Sequence, residues 1–498
     1  MTKRRRFLFN GLILTLVGLA MRGSALFLGA YIAGVIGAEG IGLQGLIATV
    51  YSLAVTLATS GVSLSVTRLV AASIGEGGGD SRILRGAFLY ATFFGLLATA
   101  LLLLLSERIG VAILLDGRTV GALRILALSL LPMALSGVIS GYFVAVRRVT
   151  LNAAVNVVGQ VMRIGLTVAL LVRLSDGTTE GAVRALAIGA TVTETVCFLV
   201  ALIELLVDRR LYGSTENKGY DLPRVAGMAL PLAFSAYVRS FLMTVEHSLI
   251  PRRLIDRGDT KSEALSAYGY LGGMALPIVL FPMTPLSSFS GLLVPEFAES
   301  EGAGDRARME RIASRASSLT LIFATVVAVF IYAFSEELGY VIYGTYEAGR
   351  YVAILSPVIP LMYLDHVTDS MLKGIGEHVY SMWVNIADSL LSVALVWALI
   401  PLLGILGYAV VIILMELFNF ILSFLRLRRR IRFKIDAMRS FIAPLIASLV
   451  AVYITSWLFD FGGSGADAVW LVSKMVFALC LLVSFAFAVN MMQKQRNK

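Results

Sequence analysis

Apolar stretches long enough to cross a bilayer recur along the whole chain, separated by short polar segments. A crossing takes about 20 apolar residues, and a window of that size predicts about 14 helices. They are centred on 7–35, 41–72, 84–106, 120–145, 151–173, 183–207, 224–250, 264–294, 313–334, 349–372, 378–400, 404–424, 438–459 and 467–490. The opening MTKRRR has the charge of a signal-peptide head. The apolar segment behind it runs past a signal peptide's short core, so a retained first span is expected.

Polar residues inside these spans fall on single helical faces. In span 5, Asn152, Asn156, Gln160, Arg163 and Thr167 lie within an arc of about 80° at 100° per residue. Span 2 aligns Ser52, Thr56, Thr59, Ser63 and Thr67, with Arg68 following. Span 1 aligns Thr15, Gly18, Arg22 and Gly29, and span 7 aligns Ser235, Arg239 and Glu246. A charge at mid-membrane costs about 2.5–3.5 kcal/mol on insertion scales. Arg22, Arg163 and Arg239 should therefore face a wet cavity or a charged partner, while Arg68 is near enough to a helix end to snorkel. The Ser/Thr stripe also fits close helix packing through small residues. Fixed guanidinium charges in a cavity suit an anionic cargo, since guanidinium binds phosphate oxygens in bidentate fashion.

Acids form a second set. Asn385, Asp388, Ser389 and Ser392 share a face of span 11, and Glu416, Asn419 and Ser423 share one of span 12. Asn385, Asp388, Glu416 and Asn419 are candidates for coupling to Na⁺ or H⁺; an interhelical hydrogen-bonded pair is the plainer alternative. Asp365 and Asp369, spaced i, i+4 near a helix end, read as solvated. Glu194 beside Thr191 and Thr195 is a lone acid.

Composition agrees with the pattern. The chain of 498 residues is 58% hydrophobic and 15% charged, against about 25% charged in soluble proteins, which excludes a large water-facing domain. The net charge of +10 would suggest nucleic acid in a soluble chain, but here its placement carries the meaning. With the N-terminus inside, roughly 26 basic residues fall on the cytoplasmic side and about 9 outside. The inside set includes Lys3–Arg6, Arg147, Arg148, Arg209, Arg210, the run from Arg426 to Lys434, and the tail Lys494, Arg496 and Lys498. Both termini are then cytoplasmic. Arg252, Arg253, Arg257 and Lys261 run against this topology. Cys197 and Cys480 both sit in apolar runs, which excludes a disulfide framework or thiolate metal site.

Residues 7–72 and 224–298 share one plan: a span with an internal arginine, a turn, then a long span rich in glycine and serine or proline. Six spans separate the two starts. The expected fold is all-α and polytopic, with two pseudo-symmetric six-helix bundles, 1–213 and 214–435, and a C-terminal helix pair, 436–498. Substrate would bind between the repeats.

Enzyme chemistry finds little support. Three histidines, His247, His366 and His378, are too few for a multi-histidine metal site. GEGGG at 75–79 lacks the strand and Lys–Ser/Thr of a phosphate loop, which excludes ATP drive within this chain. His366 beside Asp365 leaves a membrane-embedded acyltransferase-like enzyme as a rival class.

The stretch GAEGIGLQGLIATVYSLAVTLATSGVSLSVTRLVA at 37–71 resembles the first repeat of the multidrug/oligosaccharidyl-lipid/polysaccharide (MOP) exporter superfamily, in its stage V sporulation protein B and lipid II flippase-like branch. SGYFVAVRRVTLNAAVNVVGQVMRI (136–164), EHSLIPRRL (246–254), ALPIVLFPMTPLSSFSGLLVPEFAE (275–299) and DSMLKGIGE (369–377) agree. Two positions depart from the family pattern: Gly159 stands where an acid often precedes the glutamine, and Glu246 where an aspartate is expected. The resemblance implies alternating access, a lipid-linked saccharide diphosphate as cargo, no cofactor, and a diphosphate held by Arg22 and Arg239. Arg163 joins them on its stripe alone. With Arg68, Gln160, Asn156 and Glu246 they make up the expected central-cavity set. A multidrug or organic-cation antiporter of the same superfamily is the main alternative, though spans 1–5 hold no mid-membrane acid. A non-transporting scaffold is the third. Membrane lipids are the expected surroundings of a monomer in the cell membrane, with no nucleic acid partner.

Overall fold

The computed structural model describes residues 3–75, 80–174, 177–212, 219–460 and 468–496, and among these every regular element is helical. The side chains of Lys3–Arg6, Thr15, Asn152, Lys494 and Arg496, and residues 76–79 of GEGGG, residues 461–467 and Lys498, lie outside what is described.

The first helix, α1 (Lys3–Thr59), is 57 residues long, about 85 Å at 1.5 Å per residue, against about 30 Å of hydrocarbon. It does not run straight. Gly37 adopts φ 66°, ψ −177°, a conformation open to glycine and costly for residues with a Cβ, and this breaks α1 into two stretches. By length and composition 11 helices among the described residues can cross a membrane, or 12 with a pair bent by 41°. Two places account for the difference from the expected number. The first two expected spans run into one stretch, Gly18–Ile74, and the described part of the last helix, Ala468–Val483, is short.

Contacts group the chain into two units, 39–265 and 1–38 with 266–498. The first unit contains the second stretch of α1, then α2 (Val62–Gly75), α3 (Ser81–Arg108), α4 (Arg118–Ala127), α5 (Leu130–Ala145), α6 (Val149–Leu174), α7 (Thr179–Tyr212) and α8 (Leu222–Arg257). Here α6 lies along α7, and α5 packs on α2, α3 and α7. The α2–α5 approach depends on Gly141, where a Cβ would sit 2.5 Å from the Ser63 carbonyl oxygen. Leu43, Leu46, Leu84, Leu123, Leu130, Ile139 and Phe143 are fully buried among these helices.

The division at 265/266 falls within α9 (Lys261–Tyr268). The other unit holds the first stretch of α1, α10 (Leu276–Leu280), α11 (Thr284–Gly302), α12 (Arg306–Ala333), α13 (Ser335–Tyr343), α14 (Tyr346–Leu355), α15 (Ile359–Gly374), α16 (His378–Leu403), α17 (Ile405–Arg430), α18 (Ala443–Asp460) and α19 (Ala468–Arg496). Its core joins Leu293 and Phe297 of α11, Met309 of α12, Met371 of α15 and Leu427 of α17. In both units the outer faces are apolar: Leu104 of the first is 79% exposed and Leu402 of the other 73%. Exposed apolar area on this scale marks a lipid-facing surface.

Candidate functional site

Arg22 opens onto a groove of about 380 Å³, bordered by Gly29, Gly273, Pro277, Phe281 and Tyr343. The groove exists because prolines interrupt the facing helix. Phe281–Met283 forms a 3₁₀ turn between α10 and α11, and the Thr284 N–H bonds to the Phe281 carbonyl. At this turn the Leu280 carbonyl accepts from Arg22 Nη1 at 3.4 Å. A guanidinium has five donors, and the others are unengaged by described residues. The first stretch of α1 fits here through small residues: a Cβ on Gly18 would meet Thr284 at 3.5 Å.

The other three arginines belong to the 39–265 unit. Arg68 and Arg239 are exposed and make no hydrogen bond or ion pair with a described residue. Arg239 sits on a length of α8 that meets α1 through hydroxyls: Tyr237 bonds Ser60, and Thr56 Oγ1 donates to Ser240 at 3.3 Å. Arg163 differs. Its Nη2 donates to Glu194 Oε1 at 2.7 Å, tying α6 to α7.

The polar stripes divide on inspection. In span 5 Asn156 is exposed and Gln160 half-buried with a partner, whereas Thr167 is only 5% exposed and turned into packing. In span 2 Thr67 Oγ1 donates to the Gly141 carbonyl at 3.0 Å, so at this point the stripe serves helix packing. Glu246 is half-buried and partnered.

In the other unit, Asp388 of α16 and Glu416 of α17 interact electrostatically with each other and with Asp365 of α15. Ser423 donates to Asp365, whose Oδ1 has no hydrogen-bond partner. Asn385 is committed within its own helix, donating to the Ser381 carbonyl at 2.8 Å. Asn419 is half-buried on α17. Three anions this close repel unless a proton or cation comes between them. No group of three His, Cys, Asp or Glu among the described residues is arranged to hold a metal ion. Asp365, which its place near a helix end reads as solvated, instead lies within reach of two other carboxylates. Its neighbours come from α16 and α17, which spacing along α15 does not reveal.

A further network joins the ends of several helices. Asp116, 1% exposed, receives Arg118 through Nη2 at 2.8 Å and Lys261 Nζ at 3.1 Å. Arg118 also reaches Glu39 at 2.8 Å, and Ser262 Oγ donates to Glu39 at 2.6 Å. Burial works to raise the Asp116 pKa, but the donors from Arg118 and Lys261 outweigh it and hold the carboxyl below its usual value. The basic residues that ran against the topology are thus partly neutralised: Lys261 by Asp116, and Arg253 by Asp256 at 3.1 Å.

An apolar groove of about 320 Å³ lies between α12 and α18, bordered by Val329, Tyr332, Pro360, Phe441, Leu445 and Leu449.

The model of the polysaccharide biosynthesis protein family matches residues 7–301, and that of MatE matches residues 258–398. Stage V sporulation protein B of Bacillus subtilis (strain 168) is 25% identical over 425 residues, 82% of this chain and 81% of that protein. Sporulation protein YkvU of the same organism is 20% identical over 279 residues, 55% of this chain and 62% of that one. A solved structure of the lipid II flippase MurJ, in an inward closed conformation, superposes with a TM-score of 0.75 at 14% identity, covering 96% of this chain and 100% of that one. An inward-facing multidrug resistance MATE family transporter of the MOP superfamily gives 0.64 at 16% identity, over 84% and 98%. These likenesses establish the fold.

Proposed function

We propose that this chain, which belongs to the polysaccharide biosynthesis protein family, carries a lipid-linked saccharide diphosphate across the cytoplasmic membrane. The cargo class is an undecaprenyl-diphosphate oligosaccharide or peptidoglycan precursor. The chain is a multi-pass membrane transporter, not an enzyme.

The observation that carries the reading is Arg22. Its guanidinium faces an open groove with a single long bond to a backbone carbonyl, so most of its donors are available to pyrophosphate oxygens. Arg68 and Arg239, exposed and unpaired in the other unit, offer the same chemistry, with Asn156 and Gln160 as amide donors to sugar. The apolar groove between α12 and α18 suits the polyprenyl chain, which stays in hydrocarbon while the head group moves. Asp388, Glu416 and Asp365, with Asn385 and Asn419 beside them, supply the coupling to Na⁺ or H⁺. Access alternates between the leaflets. The repeats 1–213 and 214–435 carry the transport cycle, with 436–498 appended. The protein works as a monomer with both termini in the cytoplasm and binds no nucleic acid.

Reconstitution into liposomes with a fluorescent lipid-linked saccharide diphosphate tests this, using leaflet accessibility as the readout. Arg22→Ala and Arg239→Ala should each abolish flipping while the protein still inserts. Unimpaired flipping in both variants removes the assigned role. The acid trio also suits an organic-cation antiporter. Gradient-driven efflux of an organic cation that persists in Arg22→Ala, with no lipid flipping in the wild type, selects that reading instead.

A further inference from the structure

Helix α17 carries Glu416, Asn419 and Arg426 on an otherwise largely apolar length and ends in three arginines, Arg428, Arg429 and Arg430. Beyond it the chain leaves the helix at Ile431 (φ −131°, ψ 125°) and runs as an extended strap. Alternation follows, as extended chain requires: Ile431 and Phe433 are each 4% exposed, while Arg432 and Lys434 point outward. The strap is fastened to α12, since Ser314 Oγ donates to the Lys434 carbonyl at 2.6 Å. Phe433 meets Phe424 edge to face, with ring centroids 5.7 Å apart.

Where the strap passes the start of α12 there is an open pocket of about 560 Å³. Arg306, Arg429, Arg430 and Arg432 line it, Met309 and Ile431 supply apolar surface, and Glu310 is its one acid. Arg430 is already committed to Glu377. The guanidinium groups of Arg306, Arg429 and Arg432 make no hydrogen bond or ion pair with any described residue. By contrast Arg118, Arg163 and Arg426 are each paired with a carboxylate. Arg306 also begins α12, where the helix dipole adds partial positive charge.

We propose that this pocket binds a phosphate group, and that the group belongs to a phospholipid head. Guanidinium forks match phosphate oxygens. The pocket sits at the charged ends of two membrane-crossing helices, Arg306–Ala333 and Ile405–Arg430, at the level of lipid head groups. Met309 and Ile431 give the carbon beside the phosphate something to rest on. The bias of basic residues toward one side of a membrane explains why arginines gather here. It does not explain three unneutralised guanidiniums around one concavity whose walls are pinned by the core.

The test uses the full-length protein in neutral detergent. Retention of phosphatidylglycerol and phosphatidylcholine is measured by native mass spectrometry, and inorganic phosphate binding by thermal shift. The wild type should retain phosphatidylglycerol and not phosphatidylcholine. Arg429→Gln with Arg432→Gln should weaken retention about 25-fold, about fivefold per guanidinium. Arg439→Gln, at an 82% exposed arginine outside the pocket, should change nothing. Arg306→Gln, on a separate element, repeats the test should the double variant prove unstable. Equal retention of phosphatidylglycerol by wild type and variants overturns the proposal. Saturable inorganic phosphate binding that the same variants lose, without phosphatidylglycerol retention, assigns the pocket to a soluble anion and overturns the lipid assignment.

Discussion

Arg163 and Glu194 form an ion pair at 2.7 Å across the α6–α7 contact, with the arginine side chain 47% exposed and the glutamate 19%. An arginine neutralised in this way offers less to a diphosphate than an unpaired one. It also fixes the register of two long helices in a setting where isolated charges are costly.

Arg163→Ala should therefore slow lipid flipping by less than about threefold, a barrier change under about 0.7 kcal/mol, while Arg22→Ala abolishes it. Glu194→Ala alone should be worse than the double variant, because it strands the arginine. Initial flipping rates in proteoliposomes compare the wild type with Arg22→Ala, Arg163→Ala, Glu194→Ala and the Arg163→Ala, Glu194→Ala double variant. A ranking in which Arg163→Ala is the most damaging contradicts the assignment.

The trio Asp365, Asp388 and Glu416 should set the dependence on an imposed ion gradient. Asp388→Asn with Glu416→Gln is expected to leave slow flipping that no longer responds to a Na⁺ or proton gradient. The response is read as the ratio of rates with and without the gradient. A ratio unchanged from the wild type removes the trio from coupling.

Acid sensitivity should come in part from Asp116. Its folded pKa is held below the ordinary 3.8, so its contribution to stability is complete above that value. It is lost as pH falls through the depressed one. Asp116→Asn should lower the melting temperature at neutral pH, by about 1–3 kcal/mol in stability, the lower end applying because Lys261 is 43% exposed. The gap between wild type and variant should then narrow below about pH 4. Melting curves at pH 7 and pH 3 decide; a constant gap speaks against the network.

Glu377 is held by Arg426 at 2.8 Å and by Arg430, and Arg426 also lies over the Tyr380 ring at 4.8 Å. Arg426 is the largest influence keeping the Glu377 pKa below its usual value. Glu377→Gln is expected to cost about 1–2 kcal/mol and to loosen the turn joining α15 to α16. Faster amide exchange at 374–380 in the variant would report this, and unchanged exchange would refute it.

The sequence made some of this plain and concealed the rest for a consistent reason. Apolar length located the crossings, and spacing placed Arg163, Gln160 and Asn156 on one face, because both depend on a single helix. Which neighbour lies across from that face depends on packing between helices. Glu194 was visible as a lone acid, yet only the α6–α7 contact identifies it as the partner of Arg163. Asp365 looked solvated from its position on α15, and the approach of α16 and α17 changes its meaning. Lys261 looked misplaced by charge until Asp116 appeared opposite it.

The strap after α17 bears on how force travels through the molecule. Ile431 and Phe433 belong to the same packed interior as Met371 and Leu427, and such interiors yield little under load. A pull on the final two helices from a thickening or thinning bilayer is therefore grounded at Ser314 and this interior. The carboxylate-bearing helices α15 and α17 are part of that interior, so they form the anchor against which the tail of the protein rides with the lipid.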